Sequence, residues 1–193
     1  MKRLLLCTAM TLSLLVGCAE PQSNTLPSAI EKQMEEQIGM DIAVPSNDKL
    51  VVKYAEIRYP PIVNGQQIAG PSIATIVYTD EKGELLPITD EQKAEMRNRQ
   101  QREIFYGEYA GRPIIIMEIS TMKNSLHDAK TAEIEGITVE YGQKEAASGT
   151  YAFYSFHHQN ASYMTTFLLN DTTTTDDAVA FNRKLIRQLQ GKQ

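Results

Sequence analysis

Residues 151–170 read YAFYSFHHQNASYMTTFLLN. Two runs rich in β-branched and aromatic residues flank a short polar break, the pattern of an antiparallel strand pair. A two-residue turn at Asn160-Ala161 places Tyr154, Phe156 and His158 on one face with Tyr163, Thr165 and Phe167, because side chains alternate along each strand. The opposite face then carries Tyr151, Phe153 and His157 with Met164 and Leu168. One aromatic face has to meet other elements of the fold. A face left open and concave is a seat for an apolar or peptide ligand, and Tyr154, Phe156, His158, Tyr163 and Phe167 form the candidate binding surface.

Working outward, the same period of two recurs at 50–59 (LVVKYAEIRY), 72–79 (SIATIVYT), 113–120 (PIIIMEIS) and 131–141. Asn64-Gly65 is a hairpin turn, and Asp80-Glu81-Lys82-Gly83 is a second turn that leads into a short strand at 84–88. Helical patterns bracket these strands. Ser28 and Glu31 have capping-box spacing, Ile30, Met34 and Ile38 recur every fourth residue, and Gly39 supplies a stop. At the other end Thr174 is a cap and Asp176 and Asp177 lie at the positive end of the helix dipole. An apolar stripe runs through Ala178, Val179, Phe181, Leu185, Ile186 and Leu189, with Asn182 inside it. Helix, antiparallel strands, helix predicts an α+β domain with its helices packed on the sheet. The stretch 90–103 is mostly charged and nearly free of apolar residues, so it reads as part of a polar insertion at 89–111 on the sheet's edge. Thr89 and Gln92 allow a capped, solvated helix there.

The N-terminus sets the compartment. Met1-Lys2-Arg3 precedes an apolar run at 4–16 that ends in Leu15-Val16-Gly17-Cys18. A charged start and a short apolar run describe a secretory signal, too short for a stable spanning helix. The ending resembles the bacterial lipoprotein signal. That resemblance implies cleavage between Gly17 and Cys18, a diacylglycerol on the Cys18 thiol, and Cys18 as the mature N-terminus. Residues 1–17 are then the signal peptide, 18–27 a lipidated tether with two prolines, and 28–193 a single domain. Of two cysteines, one leaves with the signal and the other carries the anchor, so no disulfide is expected. Loss of Lys2 and Arg3 from 19 basic side chains, against 24 acidic ones, moves the balance from −5 to −7. So acidic a chain is not a nucleic-acid binder, and its membrane affinity has to come from acyl chains.

The segments ATIVYTDEKGELLPI (74–88), EIEGITVEYG (133–142), YAFYSFHHQNASYMTTFLLND (151–171) and TDDAVAFNRKLIRQL (175–189) occur in this order. Together they resemble an uncharacterised domain of Gram-positive bacterial lipoproteins and anti-sigma-factor ectodomains. Where that domain has a Trp and an Asn-Gly turn in the aromatic hairpin, this chain has Phe156 and Asn160-Ala161. The resemblance implies a curved antiparallel sheet, loosely similar to the half-barrel of lipoprotein carriers, and brings no catalytic residue with it.

The residues themselves name none either. Gly-x-Ser-x-Gly, Ser-x-x-Lys and a phosphate-binding glycine loop are missing from the sequence. His157 and His158, with His127-Asp128, form the one inviting metal set, but neighbours on a strand project to opposite faces and do not converge on one ion. The run Asn170 to Asp177 lacks the spacing and central Gly of a calcium loop and reads as a helix cap. The expectation is a non-enzymatic envelope lipoprotein without metal or cofactor, lipid-anchored to the cell membrane on its extracytoplasmic face, binding a protein, peptide or lipid. The alternatives are a secreted metal-dependent hydrolase that uses His157 or His158, and a sensory or accessory subunit of a membrane complex.

Overall fold

The computed structural model describes residues 26–81 and 83–192. The chain runs α1 (Ser28–Ile38), β1 (Val51–Arg58), β2 (Ile62–Val63), β3 (Gln66–Gln67), β4 (Ile73–Thr79), α2 (Asp90–Arg99), β5 (Arg102–Tyr106), β6 (Pro113–Ser120), β7 (Lys130–Ile134), β8 (Ile137–Ala146), β9 (Gly149–His158), β10 (Ala161–Leu169) and α3 (Thr175–Gln190). Eight strands form one antiparallel sheet in the order β5-β1-β4-β6-β10-β9-β8-β7, and β2-β3 is a separate hairpin. This is the α+β class expected, a curved open sheet with helices on it.

One face of the sheet makes the core. Val52, Ala55 and Ile57 of β1, Ala74, Ile76 and Tyr78 of β4, and Ile115, Met117 and Ile119 of β6 line up across the registered pairs. Tyr163, Thr165 and Phe167 of β10 and Ala152, Tyr154 and Phe156 of β9 continue the row. Against it α3 packs Ala178, Phe181, Leu185, Ile186 and Leu189, while α1 contributes Met34. Asn182 sits in the apolar stripe because both ends of its amide are satisfied. Thr165 Oγ1 donates to its Oδ1 at 2.9 Å, and its Nδ2 donates to the Ala178 carbonyl at 2.9 Å. The segment between α1 and β1 lies over the same face, buries Met40, Ile42, Ala43 and Val44, and accepts hydrogen bonds from two core tyrosines. Tyr78 Oη donates to the Pro45 carbonyl at 3.1 Å and Tyr163 Oη to that of Asp41 at 2.8 Å. Burial holds both phenols well above their ordinary pKa.

The caps follow the sequence at two helices and depart from it at the third. Thr174 and Asp177 close a full capping box on α3, as Thr89 and Gln92 do on α2. In α1 the cap is Pro27, whose carbonyl accepts from Ile30 and Glu31, so Ser28 is already helical and caps nothing. Glu31 instead pairs with Lys192 at 2.7 Å. Gly39 ends the helix with φ 66°, a left-handed conformation that glycine adopts without steric cost.

Four strand expectations change. Residues 131–141 are not one strand: Glu135 (φ 52°) and Gly136 (φ 76°) make a two-residue turn that separates β7 from β8. No strand forms at 84–88. β4 already pairs with β1 and β6 on its two edges, so the segment meets the 107–110 loop instead, through one bridge between Leu85 and Tyr109. In the region read as a polar insertion, α2 buries none of its side chains, as its charge foretells, but Arg102–Tyr106 is β5, an edge strand of the main sheet paired with β1. Finally, the aromatic hairpin turns at Gln159-Asn160, with Ala161 paired to His158. Sliding the turn by one residue moves the register by two, which preserves which side chains share a face.

Candidate functional site

The face carrying Tyr154, Phe156, Tyr163 and Phe167 is core, with all four side chains buried, and His158 at its end is half-buried. The candidate binding surface read from the sequence is therefore not an open one. Phe156 stacks on Tyr163 with centroids 5.1 Å apart, and Phe167 meets the edges of both Tyr154 and Phe181. What covers these rings is α3 and the chain between α1 and β1, an arrangement set by residues distant in sequence. Gly17 and Cys18 lie outside the described residues.

The histidines do not converge. His157 is exposed and pairs across to Ser162 on one face, whereas His158 pairs to Ala161 on the other. His127 is exposed and binds only its neighbour, Nδ1 to the Asp128 carboxylate at 2.8 Å. Among the described residues no three His, Cys, Asp or Glu side chains are placed to hold a metal ion.

Charged groups do cluster at the β1–β5 end of the sheet, on the face away from α3. Glu56, only 1% exposed, binds Arg58 Nε at 3.2 Å and also Arg102 Nε. Arg102 reaches Glu108 at 3.8 Å, and Lys53 reaches the same carboxylate at 3.9 Å. Lys53 and Arg102 both lie over the Tyr54 ring. The 107–111 loop closes over this cluster because Gly107, with φ 83°, passes so near β1 that a Cβ there would overlap the Lys53 carbonyl. Every charge in the group has an opposite partner, which makes it a staple for the sheet edge rather than a waiting site.

A different feature is unfilled. β7 pairs with β8 only from Lys130↔Tyr141 to Ile134↔Ile137, while β8 runs on to Ala146. Among the described residues, 142–146 thus have β9 on one side and no strand on the other. The hairpin registers alternate, so Gln143 and Glu145 are the residues here whose backbone N–H and C=O point outward from the sheet. Beside them is a groove of about 860 Å³ lined by Leu126, Lys130, Tyr141, Gly142, Phe153 and Thr175 among others. Tyr141 and Tyr154 stack 6.2 Å apart on the α3 side of the edge, and Gln143 Nε2 donates to Thr175 Oγ1 at 3.1 Å there. On the other side the 121–128 loop is pinned down, since Leu126 N–H donates to Glu140 Oε2 at 2.7 Å and Ser155 Oγ donates to the Asn124 carbonyl at 3.3 Å. Gly142 leaves the floor open, because a Cβ built on it meets nothing within 4 Å. Asp177, next to this end of α3, is held down at about 2 by the Thr174 backbone and hydroxyl and by Lys49, so α3 starts with a fixed negative charge.

The opposite sheet edge is different. α2 lies against β5, with Lys93, Met96 and Arg97 facing Glu103 and Ile104 across a small cleft. Sequence reasoning missed the β8 edge because it read 131–141 as a single strand. The available signal was Glu135-Gly136, which splits that run into a short strand and a longer one. Comparison with protein-family models, curated proteins and solved structures finds no match to this chain.

Proposed function

We propose that this protein is a bacterial envelope lipoprotein, anchored through Cys18, whose domain holds an extended polypeptide along the open edge of β8 by adding it as a strand. The observation that carries the reading is the run 142–146, where outward backbone groups of Gln143 and Glu145 lie beside a groove. An added strand takes its affinity from main-chain hydrogen bonds and its selectivity from alternate side chains. Here alternate side chains would meet Tyr141, itself stacked on the buried Tyr154, on one face and Phe153 with Leu126 on the other. Lys144 and Glu145 disfavour promiscuous pairing with other apolar edges.

Two tests follow, one for each half of the reading. The anchor predicts that Cys18→Ala abolishes incorporation of labelled fatty acid in growing cells; continued labelling of that variant refutes it. For the binding edge, panning a library of displayed ten-residue peptides should enrich sequences that protect the Gln143 and Glu145 amides from hydrogen exchange. Glu145→Pro removes an outward N–H without touching the β9 ladder, and Gly142→Leu fills the groove. Glu145→Pro should weaken the enriched peptides by about two- to tenfold, since a backbone hydrogen bond contributes about 0.5–1.5 kcal/mol, and Gly142→Leu should weaken them by occupying the space their side chains need. Peptides held equally well by both variants would sink the proposed edge.

A further inference from the structure

The β2–β3 hairpin stands off the domain. Residues 61–70 are exposed throughout, and Ile62, Val63 and Ile68 are 51%, 51% and 45% exposed. From Tyr59 to Thr79 there is no charged residue, in a chain where 22% of residues are charged and the net charge is −5. Isolated exposed aliphatic groups are ordinary, but three on one short ribbon without any charge are not. The ribbon is also well formed. Ile62 pairs with Gln67 and Val63 with Gln66 across an Asn64-Gly65 turn whose φ values are 53° and 77°. Its base is tied where Ile68 N–H donates to the Pro61 carbonyl at 3.0 Å and Gln67 Nε2 to that of Pro60 at 3.3 Å. Prolines at 60, 61 and 71 bring no N–H that would need a partner.

We infer that this hairpin is a membrane-contacting finger that dips its tip into the headgroup boundary of the bilayer. The inference rests on the proposed lipid anchor, which brings the domain near a membrane. Leu26 is buried and only eight residues past Cys18, so the tether spans at most about 29 Å. Two observations favour lipid over a protein groove. Ile62 and Val63 are adjacent on a strand and project from opposite faces of the ribbon, so a flat partner covers one while a fluid boundary surrounds both. An acidic domain is repelled by anionic headgroups, and the uncharged finger is the part that approaches without a desolvated charge. Asn64, Gln66 and Gln67 are neutral polar groups suited to the hydrated headgroup level.

The chain contains no Trp, so one introduced indole reports alone. The test uses full-length Val63→Trp protein purified from cells and reconstituted into phosphatidylcholine vesicles that contain bromine-labelled lipid. Leu86→Trp is the reference, since Leu86 is 44% exposed but lies near the opposite end of β4. The indole at position 63 should shift to shorter wavelength and be quenched roughly twofold more than that at position 86, as for a shallow interfacial contact. Ile62→Asp in the same background should remove that excess. Equal quenching at the two positions overturns the finger, as does an unquenched position 63. Mass measurement of Cys18 acylation reads the anchor separately. If the chain proves not to be acylated, quenching on addition to the same vesicles still decides the finger: quenched at 63, it stands; unquenched, it falls.

Discussion

Phe167→Ala is expected to reduce the unfolding free energy by about 3–5 kcal/mol, the range for truncating a buried aromatic side chain. Phe167 is fully buried, and its ring meets the edge of Tyr154 at 5.7 Å and of Phe181 at 5.6 Å. It is paired to Ile115 on β6 and Ala152 on β9, so it lies at the junction of three strands beneath α3. The cavity left behind has little means of collapse, because the strands on both sides are held by their ladders. Each lost edge-to-face pair adds about 0.5–1.5 kcal/mol beyond the area term. Urea denaturation followed by circular dichroism measures the change, with the slope unaltered if the native fold persists. A loss within about 0.5 kcal/mol, as at surface positions, would mean that the aromatic face is open to solvent after all.

Glu56→Ala is the second large effect, with an expected cost of about 3–5 kcal/mol through stranded charge rather than lost packing. The Glu56 side chain is 2% exposed, and its partner Arg102 is 20% exposed. Truncation also frees the half-exposed Arg58 and leaves Arg102 beside Lys53, whose side chain is 9% exposed, with Glu108 alone to answer these two less exposed cations. Because the cluster is largely withdrawn from solvent, added salt should restore little of the loss. Replacing both partners, as in Glu56→Leu with Arg102→Leu, should recover most of it, since an apolar pair carries no unpaired charge. A double-mutant cycle in denaturant tests this. If Glu56→Ala costs under about 1 kcal/mol, the cluster behaves as a surface ion pair and the 107–111 loop does not seal it.

Much of this molecule was legible along the chain. The alternation at 72–79 and 113–120 corresponds to β4 and β6, the latter with the same bounds, and Asn64-Gly65 turns a hairpin as its backbone preferences require. Thr174 caps α3 as expected, because capping depends only on residues three apart, and Asp177, read as a dipole partner, also completes its box. The misreadings have separate local causes. Glu135 occupies a left-handed position more common for Asn or Gly, so 131–141 passed for one strand. Ser28 has cap spacing, but Pro27 precedes it with an extended ψ and starts the helix one residue earlier. Ile104, Phe105 and Tyr106 were a strand signal masked by the charges around them.

The candidate site depended on information of longer range. Periodicity sorts the side chains of 151–170 into two faces, and that partition holds in the folded protein whether the turn falls at residue 159 or 160. Which face is covered is not a property of the hairpin. It depends on where α3 and the chain around Ile42 come to rest, and they bury Tyr154, Phe156, Tyr163 and Phe167. The open edge at 142–146 arises the same way, from a five-residue β7 set beside a ten-residue β8. Local sequence determined most of the strands, turns and caps, since these are decided largely by neighbours within a few residues. Tertiary structure alone decided burial and free edges, because both are relations between segments that meet only when the chain has folded.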